Sequence, residues 1–168
     1  MDNFYNQTEF DKIWARVSAA NDFETVEPQS LTVQNPTDPV EQLRHFMDRE
    51  ASDARFYREM AKACRNGPAK RLFLDLTQDE RDHLRKLQIE YFLLTGDTYV
   101  PNAHMPAIPS LLAALRQAYL DEEESARAYD AAARTAPNSQ LAALYAELAE
   151  SERRHQTCIR DQITRILG

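Results

Sequence analysis

A shift of 72 residues lays one part of this sequence on another. Leu43 falls on Leu115, Glu50 on Glu122, Ala54 on Ala126, Arg55 on Arg127 and Tyr57 on Tyr129. Further along, Leu72 falls on Leu144, Leu76 on Leu148, Glu80 on Glu152, Arg81 on Arg153 and His83 on His155. Each copy therefore carries a Glu, a Tyr seven residues later, and a Glu-x-x-His motif whose Glu lies 30 residues after the first. A repeat of this length is two supersecondary units, which bury their apolar faces by stacking on one another.

The spacing inside each unit is helical. Leu43, Met47, Glu50, Ala54, Tyr57 and Ala61 step by four and three, and so do Leu115, Tyr119, Glu122, Ala126, Tyr129 and Ala133. That is the seam of a helix bundle. Leu72, Leu76, Glu80, His83, Leu87, Tyr91 and Leu94 form a third stripe, and Leu144, Leu148, Glu152, His155, Ile159, Ile163 and Ile166 a fourth of the same kind. In all four stripes the acidic residue or the Glu–His pair interrupts an apolar face near its middle.

Punctuation sets the helix ends. Asp38-Pro39 supplies an N-cap and a first-turn proline, and the helix behind it is predicted to reach about Arg65, where Asn66-Gly67 stops it. Pro68 opens a second helix to about Thr95-Gly96. Three prolines between Gly96 and Ser110 mark a loop. A third helix follows to about Thr135, and Pro137-Asn138-Ser139 turns the chain into a fourth that runs almost to the C-terminus. The two tight turns predict antiparallel hairpins. The loop of roughly fifteen residues can span ~50 Å when extended, and a helix of ~25 residues is only ~37 Å long. It can therefore cross the whole bundle and leave the third helix parallel to the second. The expected fold is all-α: a ferritin-like four-helix bundle of two hairpins joined by one long crossover. It is expected to occupy residues 38–168. Residues 1–37 are expected to hold a short amphipathic helix, starting at Thr8 with Phe10, Ile13, Trp14 and Val17 on one face, and then an extended linker.

Four carboxylates in one core layer need compensation. An unpaired charge in an apolar interior costs several kcal/mol, and four at one level repel one another. Two divalent cations balance four carboxylates and two neutral imidazoles. A Glu from each of two helices with Glu-x-x-His from each of the others is the known ligand pattern of di-iron and di-manganese bundles, and residues i and i+3 share a helix face. The expected metal ligands are Glu50, Glu80, His83, Glu122, Glu152 and His155. A surface location for these six would require six independent coincidences of helical phase. Tyr57 and Tyr129, symmetrically placed two turns from Glu50 and Glu122, are expected to orient carboxylates rather than merely to pack. Cys158, one turn after His155, is expected to be a buried free thiol. His45 is expected on the surface, and His104 in the crossover has no evident partner.

The motifs Glu50-x6-Tyr57, Glu80-Arg81-Asp82-His83, Glu122-x6-Tyr129 and Glu152-Arg153-Arg154-His155 resemble the ferritin-like superfamily, and within it the rubrerythrin-like proteins. The resemblance covers about residues 38–167. It implies Glu50 and Glu122 as terminal carboxylates, Glu80 and Glu152 as bridges, and His83 and His155 as nitrogen ligands. It further implies two Fe ions, with Mn as the alternative, and O2 or H2O2 as substrate, or Fe2+ in an iron-handling protein. Rubrerythrin peroxidases carry a rubredoxin module with paired C-x-x-C motifs. This sequence has only Cys64 and Cys158, so a separate electron-donor protein is expected. Family members also tend to carry a further carboxylate one turn after the third-helix glutamate, where this chain has Ser125.

The remaining expectations come from bulk properties. A formal charge of -7 argues against a nucleic-acid partner. No apolar run reaches the ~18 residues of a membrane span, and Met1-Asp2-Asn3-Phe4-Tyr5 lacks the features of a signal peptide. A cytoplasmic protein is expected, self-associated as a homodimer or higher homo-oligomer. Three functions compete: an oxidoreductase reducing peroxide or O2, a ferroxidase, and a helical interaction module without redox activity.

Overall fold

The computed structural model describes residues 38–104 and 107–168. The expected N-terminal helix and linker lie outside these residues. The four helices are α1 (Pro39–Ala63), α2 (Gly67–Thr95), α3 (Leu111–Thr135) and α4 (Ser139–Leu167). Among the described residues there is no strand, and no helix is long and apolar enough to cross a membrane. The chain is an all-α four-helix bundle.

The caps follow the sequence closely. Asp38 accepts a hydrogen bond from the Val40 N–H, Asn66 from that of Ala69, and Asn138 from that of Leu141. Each satisfies an amide left orphaned by the first helical turn. Gly96 ends α2 in the left-handed region at φ 73°, where a Cβ would be strained. Helix α1 stops at Ala63, short of the expected Arg65, because Cys64 turns to an extended conformation at ψ 126°.

Hydrogen bonds across the bundle give the topology. Tyr57 of α1 meets Glu122 of α3, and Tyr129 of α3 meets Glu50 of α1. The rising numbers on one helix meet falling numbers on the other, so α1 and α3 are antiparallel. Contacts of Arg44 with Tyr91 and of Glu50 with His83 make α1 and α2 antiparallel as well. Helix α3 therefore runs parallel to α2, as a long crossover demands.

The crossover is pinned along α1. The Asp48 carboxylate accepts hydrogen bonds from the Tyr99 hydroxyl at 3.0 Å and the Asn102 N–H at 2.7 Å. One turn on, Ser52 Oγ accepts from the His104 N–H at 2.9 Å. Removing Asp48 leaves both donors without their acceptor. Asp48→Ala is expected to destabilise the fold by about 1–3 kcal/mol, read as a shifted denaturant midpoint with metal absent.

The core consists of two apolar clusters. One contains Tyr57, Met60, Phe73, Leu76, Leu115 and Ile159. The other contains Leu43, Phe46, Leu87, Tyr129, Tyr145 and Leu148. The repeated glutamates and histidines lie in the layer between them.

Six stripe positions depart from expectation, among them Leu72, Leu144 and Ile166, which are half-buried. Leu94 is 46% exposed, one residue before α2 ends. Tyr119 and Ala133 are only half-buried, and the neighbouring Ala118 and Ala132 take the inner positions. Residues with small side chains allow α3 to rotate slightly toward its partners, which a pattern of apolar letters does not reveal.

Candidate metal centre

Each helix contributes from its middle turns. Glu50 comes from α1, Glu80 and His83 from α2, Glu122 from α3, and Glu152 and His155 from α4. All six are at most 4% exposed. Their ligand-type atoms form two groups, Glu50–Glu80–His83–Glu152 and Glu80–Glu122–Glu152–His155, each with all such atoms within 4.8 Å of one another. Glu80 and Glu152 belong to both groups.

The two histidines face inward through Nδ1. His83 Nδ1 lies 2.9 Å from Glu80 Oε2, 3.2 Å from Glu50 Oε2 and 3.1 Å from Glu152 Oε1. His155 Nδ1 lies 3.1 Å from Glu152 Oε2, 3.2 Å from Glu80 Oε1 and 3.7 Å from Glu122 Oε2. The imidazole rings are stacked, with centroids 5.4 Å apart.

Both tyrosines reach across the seam. The Tyr57 hydroxyl donates to Glu122 Oε1 at 2.5 Å, and the Tyr129 hydroxyl donates to Glu50 Oε1 at 2.5 Å. Each copy of the repeat thus steadies the glutamate of the other copy. Burial first, and then the adjacent carboxylates, push both phenols well above their ordinary range, so they stay protonated and keep an O–H to donate. Tyr57→Phe and Tyr129→Phe are each expected to weaken divalent-metal binding by about tenfold or more. A metal titration of each variant measures the change.

Protons occupy the layer electrostatically. Burial, reinforced by neighbouring glutamates, raises Glu50 and Glu122 well above the carboxylate range. Burial opposes charge on Glu80 and Glu152 too, but hydrogen bonding to the histidines, and to Glu122 in the case of Glu152, outweighs it and holds both low. Burial also opposes charge on the histidines. The surrounding carboxylates overcome this, pushing His83 up to about 12 and raising His155 as well. The upward shifts of Glu50, Glu122, His83 and His155 all favour the protonated forms.

That proton arrangement leaves something unmet. Glu80 Oε1 and Glu152 Oε1 are buried and accept no hydrogen bond. They are near an imidazole nitrogen, at 3.2 and 3.1 Å, but without hydrogen-bonding geometry. Buried carboxylate oxygens ordinarily find a donor. Two orphaned oxygens, one on each glutamate shared by the two groups, suit a cation that needs no directional hydrogen bond. The donor set of carboxylate oxygen and imidazole nitrogen suits iron or manganese.

A protein-family model described as Rubrerythrin matches residues 113–166. The match spans most of α3 and α4 and contains Glu122, Glu152 and His155. Over α3 and α4 the chain is similar to rubrerythrins. The other copy of the motif, on α1 and α2, is related to the matched segment by the 72-residue repeat. No curated protein and no solved structure matches the chain.

Two contacts at the centre were not foreseen from the sequence. His83 Nε2 lies 2.9 Å from Ser151 Oγ, and His155 Nε2 lies 3.2 Å from Asp79 Oδ2. Each partner directly precedes the Glu of a Glu-x-x-His motif. That position is the available signal, but the contacts cross between α2 and α4, which only helix packing reveals. Other side chains lie elsewhere. Cys158 is exposed rather than buried, because Ile159 takes the inner position. His45 is half-buried beside Phe46, and the His104 side chain is exposed in the crossover.

Proposed function

We propose that this chain is a non-haem di-iron oxidoreductase, with manganese as the alternative metal, that reduces peroxide or O2 using electrons from a separate donor protein. The observation that carries this reading is the duplicated Glu and Glu-x-x-His set meeting in one buried layer with two carboxylate oxygens left unpartnered. Glu50 and His83 would hold one ion, Glu122 and His155 the other, and Glu80 and Glu152 would be shared. When bound, such a metal pair supplies two-electron redox capacity and Lewis acidity.

The side chains of the chain prepare that environment. The four carboxylates cancel the charge of two divalent ions, so the loaded layer would be neutral. Tyr57 and Tyr129 each engage Oε1 of a terminal glutamate, and its Oε2 faces a histidine Nδ1 across the space a cation would occupy. The apolar clusters on both sides keep bulk water away from the layer, which limits release of partly reduced oxygen species. The sequence contains no C-x-x-C pair, so electrons are assigned to a separate protein.

The test is turnover. Protein loaded anaerobically with Fe2+ should consume H2O2 repeatedly when a chemical reductant is supplied, with iron remaining bound at about two per chain. Net accumulation of ferric iron beyond that ratio would instead establish the ferroxidase reading. Loaded protein that neither consumes peroxide or O2 nor oxidises added Fe2+ would support a helical interaction module.

A further inference from the structure

Most hydrogen bonds at the centre obey the 72-residue repeat, although His83 Nδ1 lies 3.2 Å from Glu50 and His155 Nδ1 lies 3.7 Å from Glu122; the chemical difference is at the outer nitrogens of the histidines. Tyr57 and Tyr129 make equivalent bonds to Glu122 and Glu50. His83 and His155 both direct Nδ1 at the carboxylates and Nε2 away from them. At Nε2 the symmetry breaks. His155 meets Asp79, while His83 meets Ser151, and Asp79 and Ser151 occupy equivalent positions in the repeat.

The chemical difference is substantial. With Nδ1 aimed inward, Nε2 carries the hydrogen and donates outward. A carboxylate acceptor forms a charge-assisted bond, stronger than the bond to a neutral hydroxyl. It draws the Nε2 hydrogen and increases electron density on the ring, so Nδ1 becomes a better donor to a cation. An outer carboxylate on a metal-binding histidine also fixes the ring orientation, and loss of such a partner typically lowers metal affinity about 10–100-fold. Asp79 also adds negative charge to its own half of the centre. Its side chain is 55% exposed, so water screens part of that charge but does not remove the directional bond.

We infer that the two cation positions are inequivalent. The Glu122–His155 position, supported by Asp79, fills first and holds its ion more tightly. The Glu50–His83 position, supported by Ser151, fills second and exchanges more readily. Asp79 is a positioning residue, acting through His155. This inference rests on the two-metal reading and adds to it an order of loading and an identified labile ion.

A second break in the repeat supplies a rival cause. Asp53 of α1 matches Ser125 of α3, and burial followed by the charge of Glu80 raises the Asp53 carboxyl. Exchanging the histidine partners separates the two explanations, because it leaves Asp53 and Ser125 unchanged.

The experiment is anaerobic titration of the metal-free full chain with Co2+, followed by calorimetry and visible absorption. Wild type should show two steps with affinities separated by about tenfold or more. His155→Ala should abolish the tighter step and His83→Ala the weaker one. Asp79→Asn keeps side-chain size and should weaken the tighter step by about tenfold or more, with the weaker step little changed. Asp79→Ser combined with Ser151→Asp should reverse the order, with the tighter step now lost in His83→Ala. Two equal wild-type steps, or an unchanged tight step in Asp79→Asn, would overturn the inference while leaving the two-metal reading intact. Retention of the original order after the exchange would assign the asymmetry to Asp53 instead. A wild type that takes up no Co2+ would overturn the two-metal reading, and the inference with it.

Discussion

Protein purified without chelator is expected to carry about two iron or manganese ions per chain, and the Glu80→Ala, Glu152→Ala double variant none. These two glutamates are chosen because each belongs to both candidate ligand groups. Their substitution removes the shared acceptors of both positions while leaving the apolar clusters on either side untouched. The variant should therefore fold. Elemental analysis gives the metal content, and circular dichroism checks that helicity is retained.

Stability should respond in the same direction. A ligand that binds only the folded state stabilises it by about 4 kcal/mol at a thousand times its dissociation constant. Wild type should lose a stabilisation of that order when chelator is added, and the double variant should not. A metal-free wild type whose melting temperature ignores both chelator and added metal would refute the site.

The second large effect concerns protons. Glu50, Glu122, His83 and His155 are all shifted upward, so each favours its protonated form. Metal must displace these protons, since ligation needs ionised carboxylates and neutral imidazoles. Loading two ions should release protons, up to about four. Calorimetry in buffers of different ionisation enthalpy counts them directly. The sign follows: lowering the pH favours the protonated layer, so metal affinity falls. Each proton displaced per ion lowers apparent affinity about tenfold for each pH unit, so two per ion would lower it about 100-fold near neutrality. A pH-independent affinity between 6 and 8, or proton release near zero, would show that the carboxylates and histidines are not protonated before loading.

Much of the centre was legible because it is repeated. One Glu-x-x-His on a helix is a common accident. Two, each 30 residues after a seam glutamate and beside a matched tyrosine, restrict the geometry severely. The helix ends were readable from Asp38, Asn66, Gly96 and Asn138, since capping depends on residues adjacent in sequence. Tyr57 and Tyr129 could be placed near the layer, but not assigned to the glutamate each one meets. That pairing depends on α1 and α3 running antiparallel. The positions of Tyr119, Ala133 and Cys158 were less legible, because a rotation of a helix by a fraction of a turn moves a residue at the edge of the apolar stripe in or out.

Sequence by itself determined the four helices, their two hairpins, and the six polar residues in the inward-facing stripes. It could do so because helical phase and capping are local, and because the repeat tests each assignment twice. Only the tertiary structure decided that Glu80 and Glu152 each face both histidines, that Tyr57 serves Glu122 and Tyr129 serves Glu50, and that Asp79 and Ser151 back opposite imidazoles. Those relations join residues on different helices at distances of a few ångströms. They depend on crossing, rotation and axial offset, which local periodicity does not specify. The 72-residue repeat therefore defines two chemically similar halves, and packing reveals where they differ.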